Sequence, residues 1–141
     1  EPIAEQALKL LAPEFAARQV EVKRAYEPGL PAVPVDRDQI TQVFLNLLLN
    51  ACESMEGGGE LRIALGRSGP PPGVVVSIAD TGAGIPAEDL EKVFEPFFSR
   101  KKKGTGLGLA IVHQIIESHR GEIRVESGPK RGTTFRFRLP A

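Results

Sequence analysis

One stretch of the chain, Gln39-Ile-Thr-Gln-Val-Phe-Leu-Asn46-Leu-Leu-Leu-Asn50-Ala-Cys-Glu53, decides how the rest is interpreted. On a helix, with about 100° per residue, it carries apolar residues over most of its surface, which is typical of a helix buried on most sides. Two apolar faces result, one with Ile40, Val43, Phe44, Leu47, Ala51 and Met55 and the other with Leu45, Leu49 and Cys52.

A narrow polar stripe interrupts this apolar surface. It consists of Gln39, Gln42, Asn46, Asn50 and Glu53. A buried amide without a partner costs roughly 1–3 kcal/mol, so a row of amides on such a helix needs polar groups opposite it. The amides either bind core backbone or face solvent, or they form the wall of a polar binding site. The helix alone leaves both interpretations open.

The composition is that of an ordinary globular domain. The 141 residues are 41% hydrophobic and 26% charged, and the formal net charge is zero, so nothing favours a nucleic acid or a membrane surface as partner. The length corresponds to a single domain. A lone cysteine, Cys52, excludes an intramolecular disulfide, and no apolar run approaches the ~20 residues of a membrane span. Because the chain begins with Glu1 and not Met, we expect a fragment of a longer protein.

Apolar periodicity predicts a helix and a strand before the central helix. The first helix covers Ile3 to Arg18, with its second half in doubt because of Pro13, and the strand covers Val20 to Tyr26. Asp36 is a natural N-cap for the central helix. We expect that helix to end at Glu56-Gly57-Gly58-Gly59, where a glycine provides a left-handed stop.

The second half of the chain predicts two hairpins and a second buried helix. The elements are Glu60 to Arg67 with Val74 to Asp80, a short helical piece near Ala87 to Val93, a helix from Leu107 to Ser118, and Glu122 to Glu126 with Thr134 to Leu139. The fold class that follows is an α/β (α+β) two-layer sandwich, with a mixed, mostly antiparallel sheet of about five strands packed on three helices.

Asp80-Thr81-Gly82-Ala83-Gly84-Ile85 places an acid at the end of a strand, before two glycines. Glycine allows a close approach of the backbone to a flat ligand. A carboxylate there can accept a hydrogen bond from the exocyclic amine of adenine, whereas guanine would set its carbonyl oxygen against it. The same residues also form ordinary turns, so this motif alone does not decide.

Gly104-Thr-Gly106-Leu-Gly108-Leu leads directly into the second buried helix. Alternating glycines at a helix start free backbone amides and point the positive helix end at one place, which suits a polyphosphate. The order of residues excludes a Walker loop and a Rossmann loop, and the protein-kinase motifs are missing. A flexible linker, the simpler interpretation, would not need an apolar helix immediately after it.

Arg100-Lys-Lys-Lys103 adds four positive charges just before these glycines. Such a run is commonly a solvated surface or a nucleic-acid signal, but its position between two nucleotide-like loops favours a mobile lid over phosphates. Asn46 and Asn50, four residues apart, can offer an amide oxygen to magnesium, which takes only one or two protein ligands beside phosphates.

In this order, the motifs resemble the catalytic ATP-binding domain of bacterial sensor histidine kinases of the nitrogen-regulator-like subgroup, within the gyrase–chaperone–kinase–MutL ATPase superfamily. The resemblance rests on Gln42-x-x-x-Asn46-Leu-x-x-Asn50-Ala, Asp80-x-Gly82-x-Gly84, Phe94-Glu-Pro-Phe97-Phe98, Gly104 to Gly108, and Gly132-Thr-Thr-Phe135. It implies one domain over residues 1–141 with an ATP lid at approximately 86–105, and it implies that the dimerisation, phospho-acceptor and sensor domains are absent from this chain.

The resemblance also implies roles for single positions. Asn50 matches the magnesium ligand, Asn46 lies beside it at the phosphates, and Lys101 matches the lid lysine; these three are the expected catalytic residues. Asp80 matches the carboxylate that recognises adenine. The other positions expected at the nucleotide are Gly82 and Gly84 at the base, Thr133 at a water beside it, Phe94 and Phe97 as an aromatic plug between lid and core, Gly104, Gly106 and Gly108 around the phosphates, and Glu53, Ile85, Arg100, Thr105 and Leu107.

Departures from the family pattern bear on mechanism. The hydrolysing members carry a glutamate where Asn46 stands, and an amide cannot act as general base, so water attack should be poor; Glu53, two turns away, is a weaker substitute. Arg120 replaces the first glycine of the usual His-Gly-Gly, and Ser99-Arg100 replaces Thr-Thr. Neither His113 nor His119 is followed by an acid as family acceptors are, so we expect surface or hinge histidines.

The function that the resemblance implies is to bind Mg-ATP and donate its γ-phosphoryl group to a histidine on a separate dimerisation and phospho-acceptor domain, with a response regulator downstream. We expect a cytoplasmic location, no nucleic acid or membrane contact, and a monomeric isolated domain. Two alternatives remain: a serine kinase or ATP-driven conformational switch of the same superfamily, and a degenerate interaction module without nucleotide, against which the intact glycine motifs argue.

Overall fold

The computed structural model describes residues 2–55, 57–82, 94, 108–128 and 132–141. The short helical piece expected near Ala87 to Val93 and most of the expected lid lie outside these residues. The described elements are α1 Pro2–Ala17, β1 Val20–Tyr26, α2 Arg37–Glu53, β2 Gly59–Ser68, β3 Gly73–Asp80, α3 Gly108–Ser118, β4 Glu122–Gly128 and β5 Gly132–Pro140.

Five strands form one sheet in the order β1-β2-β3-β5-β4. The edge strand β1 runs parallel to β2, and the other neighbouring pairs are antiparallel. The helices cover one face of this sheet. These observations confirm the predicted two-layer sandwich with a mixed, mostly antiparallel sheet.

The core lies between the helices and the covered face of the sheet. The ring of Phe44 on α2 packs edge-on against Phe137 on β5, with ring centroids 5.8 Å apart. Alternation along three strands places the expected side chains in this layer, and all of them are buried: Leu61, Ile63, Leu65, Val74, Val76, Ile78, Phe135, Phe137 and Leu139. Burying one such side chain contributes roughly 1.5–3 kcal/mol. None of the three described helices has the length and apolar composition needed to cross a membrane.

Helix α1 runs through Pro13 to Ala17 without a break, so the doubt about its second half was wrong. Proline removes one backbone donor inside a helix. The turn after Pro13 stays in place because Phe15 is buried in the core, with 5% of its surface exposed. Tertiary packing therefore outweighs the local cost.

The sequence predicted the N-terminal end of α2 correctly and its C-terminal end wrongly. Asp36 is the N-cap, and its carboxylate accepts a hydrogen bond from the Gln39 backbone N at 3.0 Å, which confirms the prediction. The predicted glycine stop was wrong. The helix ends at Glu53, and Ser54 follows as a C-cap with an ordinary right-handed conformation and a hydroxyl that donates to the Ala51 carbonyl at 2.8 Å. Gly58, with φ +95°, belongs to the following turn.

Less of the apolar surface of α2 is buried than the sequence predicted. The second apolar face was predicted to be covered, yet Leu49 is 37% exposed and Leu45 is only half-buried. Leu48 is fully buried instead, together with Cys52. One flank of the helix therefore faces solvent, because α1 and α3 pack on either side of it and leave its outer surface open.

Candidate functional site

The polar stripe of α2 connects this helix to the start of α3. Gln42 Nε2 donates to Asn46 Oδ1 at 2.9 Å, and Asn46 Nδ2 donates to the Gly108 carbonyl oxygen at 3.2 Å. A carbonyl can only accept, so the amide nitrogen of Asn46 is the atom that faces it. Asn50 and Glu53 lie further along the same stripe and are half-buried. One amide side chain thus brings the asparagine helix against the first residue of α3.

Gly108 is an exposed residue at the N-terminus of α3, and a side chain added there would meet no atom of the described residues within 4 Å. The first turn of a helix has backbone N–H groups without partners in the helix, and the aligned peptide dipoles make this end positive. The end of α3 that Asn46 contacts is therefore suited to an anion.

The opposite ends of the same two helices are joined by His119. Its Nε2 accepts a hydrogen bond from the Asp36 backbone N at 3.0 Å, and its Nδ1 lies 2.8 Å from the Ile115 carbonyl oxygen. Since the carbonyl only accepts, Nδ1 carries the proton and Nε2 is the acceptor, which is a neutral tautomer. No local sequence pattern predicts this link, because the two residues that it joins are far apart along the chain.

The other histidine, His113, faces the aromatic residue Phe94. Its Nδ1 lies 2.9 Å from Glu117 Oε1, one turn further along α3. The ring centroid of Phe94 is 5.4 Å from that of His113 and 6.1 Å from that of Phe135. Phe94 therefore packs between α3 and the core strand β5, and its role as a plug between lid and core stays a prediction.

Asp80 and Thr133 form the buried polar part of the described molecule. They are 6% and 4% exposed, and they are opposite each other in the β3–β5 register. Asp80 Oδ1 accepts a hydrogen bond from the Gly82 backbone N at 2.8 Å. A carboxylate is thus held at the end of β3, with a neighbouring hydroxyl on β5.

Two glycines make this arrangement possible because other backbone passes very close to them. A Cβ on Gly82 would lie 2.4 Å from the Ser54 carbonyl oxygen, and a Cβ on Gly132 would lie 1.9 Å from the Asp80 carbonyl oxygen. Gly132 also has φ +75°, a conformation that other residues rarely adopt. The sequence suggested that Gly82 is small to admit a ligand, but in the structure its closest neighbour is the C-cap of α2.

Cys52 takes no part in the polar stripe. Its side chain is fully buried in the core, and burial raises the pKa of the thiol above its usual range. The thiol therefore stays protonated near neutral pH, and because the thiolate is the reactive form, Cys52 is not a nucleophile.

Most of the chain resembles a known protein family. The family HATPase_c, described as "Histidine kinase-, DNA gyrase B-, and HSP90-like ATPase", matches residues 35–141. The chain belongs to this family. Its members are ATPases by description, which supports ATP as a ligand of this chain.

The similar curated proteins are sensor histidine kinases. The chain is 40% identical over 134 residues to the sensor histidine kinase ZraS of Escherichia coli K12, which is 95% of this chain and 28% of that protein. It is 44% identical to the sensory histidine kinase/phosphatase NtrB of Rhodobacter capsulatus, over an alignment of 149 positions that covers 98% of this chain and 41% of that protein. These relatives support the nitrogen-regulator-like subgroup, and the chain spans well under half of their length.

Solved structures of histidine kinases superpose on this chain over nearly its whole length. The catalytic domain of histidine kinase ThkA, in a nucleotide-free form, superposes with a TM-score of 0.86 at 33% identity and covers 99% of this chain and 90% of that one. ThkA in complex with the response regulator protein TrrA superposes with a TM-score of 0.80 at 30% identity, over 99% of this chain and 39% of that one. This HATPase_c chain therefore has the fold of a histidine-kinase catalytic domain.

Of the expected site residues, the structure describes Asn46, Asn50, Glu53, Asp80, Gly82, Phe94, Gly108 and Thr133. The others lie outside the described residues and remain predictions: Gly84, Ile85, Phe97, Arg100, Lys101, Gly104, Thr105, Gly106 and Leu107. Within the described part of the chain, no group of three or more His, Cys, Asp or Glu residues is placed to hold a metal ion. Asn50 as a magnesium ligand is therefore also a prediction.

Proposed function

We propose that this chain is the ATP-binding, phosphoryl-donating domain of a sensor histidine kinase. The observation that carries the proposal is the hydrogen bond from Asn46 to the Gly108 carbonyl. It sets the polar stripe of α2 beside the positive end of α3. The C-terminal end of α2, at Ser54, packs against Gly82, next to the buried Asp80. A triphosphate and a base then have separate places along one helix.

Asp80 supports adenine as the base. An ionised carboxylate is an acceptor only, so it binds the exocyclic amine of adenine and repels the carbonyl oxygen that guanine carries at that position. Hydrogen bonds that involve a charged group contribute about 1.5–3 kcal/mol. Because Asp80 is 6% exposed, water screens this contact little.

The phosphates and the metal belong to the other end of the site. Gly104, Gly106 and Gly108 would bind phosphate oxygens through backbone N–H groups, and Lys101 would add a positive charge from the lid at approximately 86–105. The stripe of α2 fits magnesium, because Asn50 is half-buried there and offers the oxygen ligand that magnesium prefers. Bound magnesium would neutralise charge on the transferring phosphoryl group.

Asn46 supports donation of the phosphoryl group over hydrolysis. Its amide is already engaged with Gln42 and Gly108, and an amide cannot take a proton from water. The γ-phosphoryl group is therefore kept for a histidine that dimerisation and phospho-acceptor helices supply in trans. Holding that histidine close to the γ-phosphate in the right orientation would accelerate the transfer. A response regulator would receive it next, which the ThkA–TrrA complex supports. We further propose that residues 1–141 are one domain and that it works in the cytoplasm.

A phosphotransfer assay tests the proposal. The chain is incubated with γ-labelled ATP, magnesium and a separate fragment that carries the dimerisation and acceptor helices of its own kinase. We expect label on the fragment that is stable to alkali and lost in acid, as phosphohistidine is, and we expect Asp80→Asn to reduce the label strongly. Acid-stable label would indicate a serine kinase. Rapid release of free phosphate without the fragment would indicate an ATP-driven switch.

A further inference from the structure

Three polar residues form a row across neighbouring strands of the sheet. The β4–β5 register pairs Ser127 with Thr133, and the β3–β5 register pairs Thr133 with Asp80. All three lie on the face that the helices cover. Side chains that are opposite each other in this way have Cβ atoms about 4.5–5.5 Å apart. Ser127 therefore stands behind Thr133, on the side away from Asp80.

The hydrogen bonds of Ser127 fix the direction of the Thr133 hydroxyl. Ser127 Oγ lies 2.9 Å from the Gly132 carbonyl oxygen and 2.9 Å from Thr133 Oγ1. The carbonyl can only accept, and a serine hydroxyl has one hydrogen, so Ser127 donates to Gly132. In the second contact Thr133 must then be the donor and Ser127 the acceptor.

The direction of the Thr133 hydroxyl determines which hydrogen bonds it can make with a base. The hydrogen of Thr133 points to Ser127, so the side of its oxygen that faces Asp80 can only accept. Of the described groups at this place, the Asp80 carboxylate and the side of the Thr133 oxygen that faces it are then both acceptors. This suits a purine with an amine at its 6-position, bound directly or through a water, and it opposes a purine with an oxygen there.

Without Ser127 the hydroxyl of Thr133 would rotate. A hydroxyl turns to whichever partner suits it, and the nearest acceptors would be the Asp80 carboxylate or an oxygen on the base. A hydrogen bond from Thr133 would weaken Asp80 as an acceptor for an amine. It would also give a 6-oxo purine a donor that Thr133 does not offer while it is bonded to Ser127.

We propose that Ser127 is a positioning residue that sets base specificity by holding the Thr133 hydroxyl as an acceptor. The proposal rests on the proposed binding of ATP at Asp80. It extends that function to a residue that does not contact the base and that the sequence motifs did not include.

The test compares ATP with inosine triphosphate, which differs in carrying an oxygen in place of the amine. Dissociation constants for both are measured by titration calorimetry for the unmodified chain, Ser127→Ala, Thr133→Val and the double variant. We expect the unmodified chain to prefer ATP, and Ser127→Ala to reduce that preference about fivefold to tenfold, the size of one ordinary hydrogen bond.

The double variant separates positioning from a general structural effect. If Ser127 acts through Thr133, adding Ser127→Ala to Thr133→Val should change the ATP preference by less than about twofold. Ser127→Thr keeps a hydroxyl and should retain the native preference. Thr134→Val removes the neighbouring hydroxyl on β5, which points to the other face of the sheet, and serves as the matched control.

Several outcomes would overturn the proposal. An equal loss of affinity for both nucleotides in Ser127→Ala indicates a structural role only, as does the same change of preference in the Thr133→Val background. A chain that binds neither nucleotide, or binds both equally before mutation, contradicts the proposed function itself. Should thermal unfolding show that Ser127→Ala does not fold, Ser127→Cys, with its weaker donor, must reduce the preference in the same direction.

Discussion

Around Asp80 the proposed site is buried and held by strand pairing, whereas around Asn46 it is half-exposed, at a place where a side-chain hydrogen bond joins two packed helices. Asp80 is 6% exposed and Gly132 lies in contact with its carbonyl oxygen. Gly108, at the other end, has no neighbour among the described residues within 4 Å of where a side chain would begin. In the described part of the chain, the base end is therefore closely packed and the residue at the phosphate end is open.

This difference suggests that the two ends of the proposed site have different roles, one in base specificity and the other in phosphate and metal binding. A preformed base end loses little entropy when it binds, and so it discriminates between bases through fixed hydrogen bonds. At the phosphate end, a substitution at the exposed Gly108 meets no described neighbour, so the fold should tolerate it. Substitutions at the base end should therefore cost folding stability or base preference, and substitutions at the phosphate end should affect nucleotide and metal binding in a chain that still folds.

The largest effect is expected from Gly132→Ala. Alanine at φ +75° is strained, and its Cβ would fall 1.9 Å from the Asp80 carbonyl oxygen. We expect the free energy of unfolding to fall by at least about 2 kcal/mol, measured by urea denaturation. Gly108→Ala is the matched control, and it should change stability by no more than about 0.5 kcal/mol while weakening ATP binding. Equal destabilisation by both would abolish the contrast between the two ends.

Asp80→Asn should produce the next largest effect, on affinity. Its Oδ1 can still accept from the Gly82 backbone N, so the fold should persist, but the amide nitrogen would face the adenine amine. Loss of one charge-assisted hydrogen bond weakens ATP binding about 10- to 100-fold. Calorimetric titration gives the affinity and circular dichroism the melting temperature. Unchanged ATP affinity would show that Asp80 does not contact the base.

Asn50→Ala should mainly affect the response to magnesium. If Asn50 is the metal ligand, ATP binding in the variant should hardly differ with and without magnesium, whereas the unmodified chain should gain roughly tenfold, about 1.4 kcal/mol. Gln39→Ala, at an exposed position of the same stripe, is the control and should keep the magnesium effect. A magnesium effect of native size in Asn50→Ala would place the metal ligand elsewhere.

The smallest effect concerns His119, which joins the far ends of α2 and α3. In His119→Gln the side-chain oxygen can still accept from the Asp36 backbone N, whereas the shorter side chain of His119→Asn cannot reach it. We expect His119→Asn to lower the free energy of unfolding by about 1 kcal/mol and His119→Gln to lower it by less than half of that. Equal losses would mean that the hydrogen bond to Asp36 contributes nothing.

The sequence predicted what depends on local periodicity. The strands, their inward-facing residues, the Asp36 N-cap and the amide stripe follow from spacing along a helix or a strand. The family resemblance named Asp80 and Asn46, and the structure brings the asparagine helix to Gly108 and places Asp80 beside Thr133.

What the sequence did not predict depends on contacts between distant segments. Phe15 keeps α1 helical past Pro13, and the Ser54 hydroxyl ends α2 before the glycines. The contact of Gly82 with Ser54 and the bond between Asp36 and His119 join residues that no local pattern relates. These features could be recognised only once the elements were packed together.

Titration of the unmodified chain with ATP and with GTP, each in the presence of magnesium, is the most direct test of adenine recognition by Asp80. We expect ATP to bind at least about tenfold more tightly than GTP, because Asp80 accepts from the adenine amine and repels the guanine carbonyl oxygen. Equal affinity for the two nucleotides, or tighter binding of GTP, would contradict it.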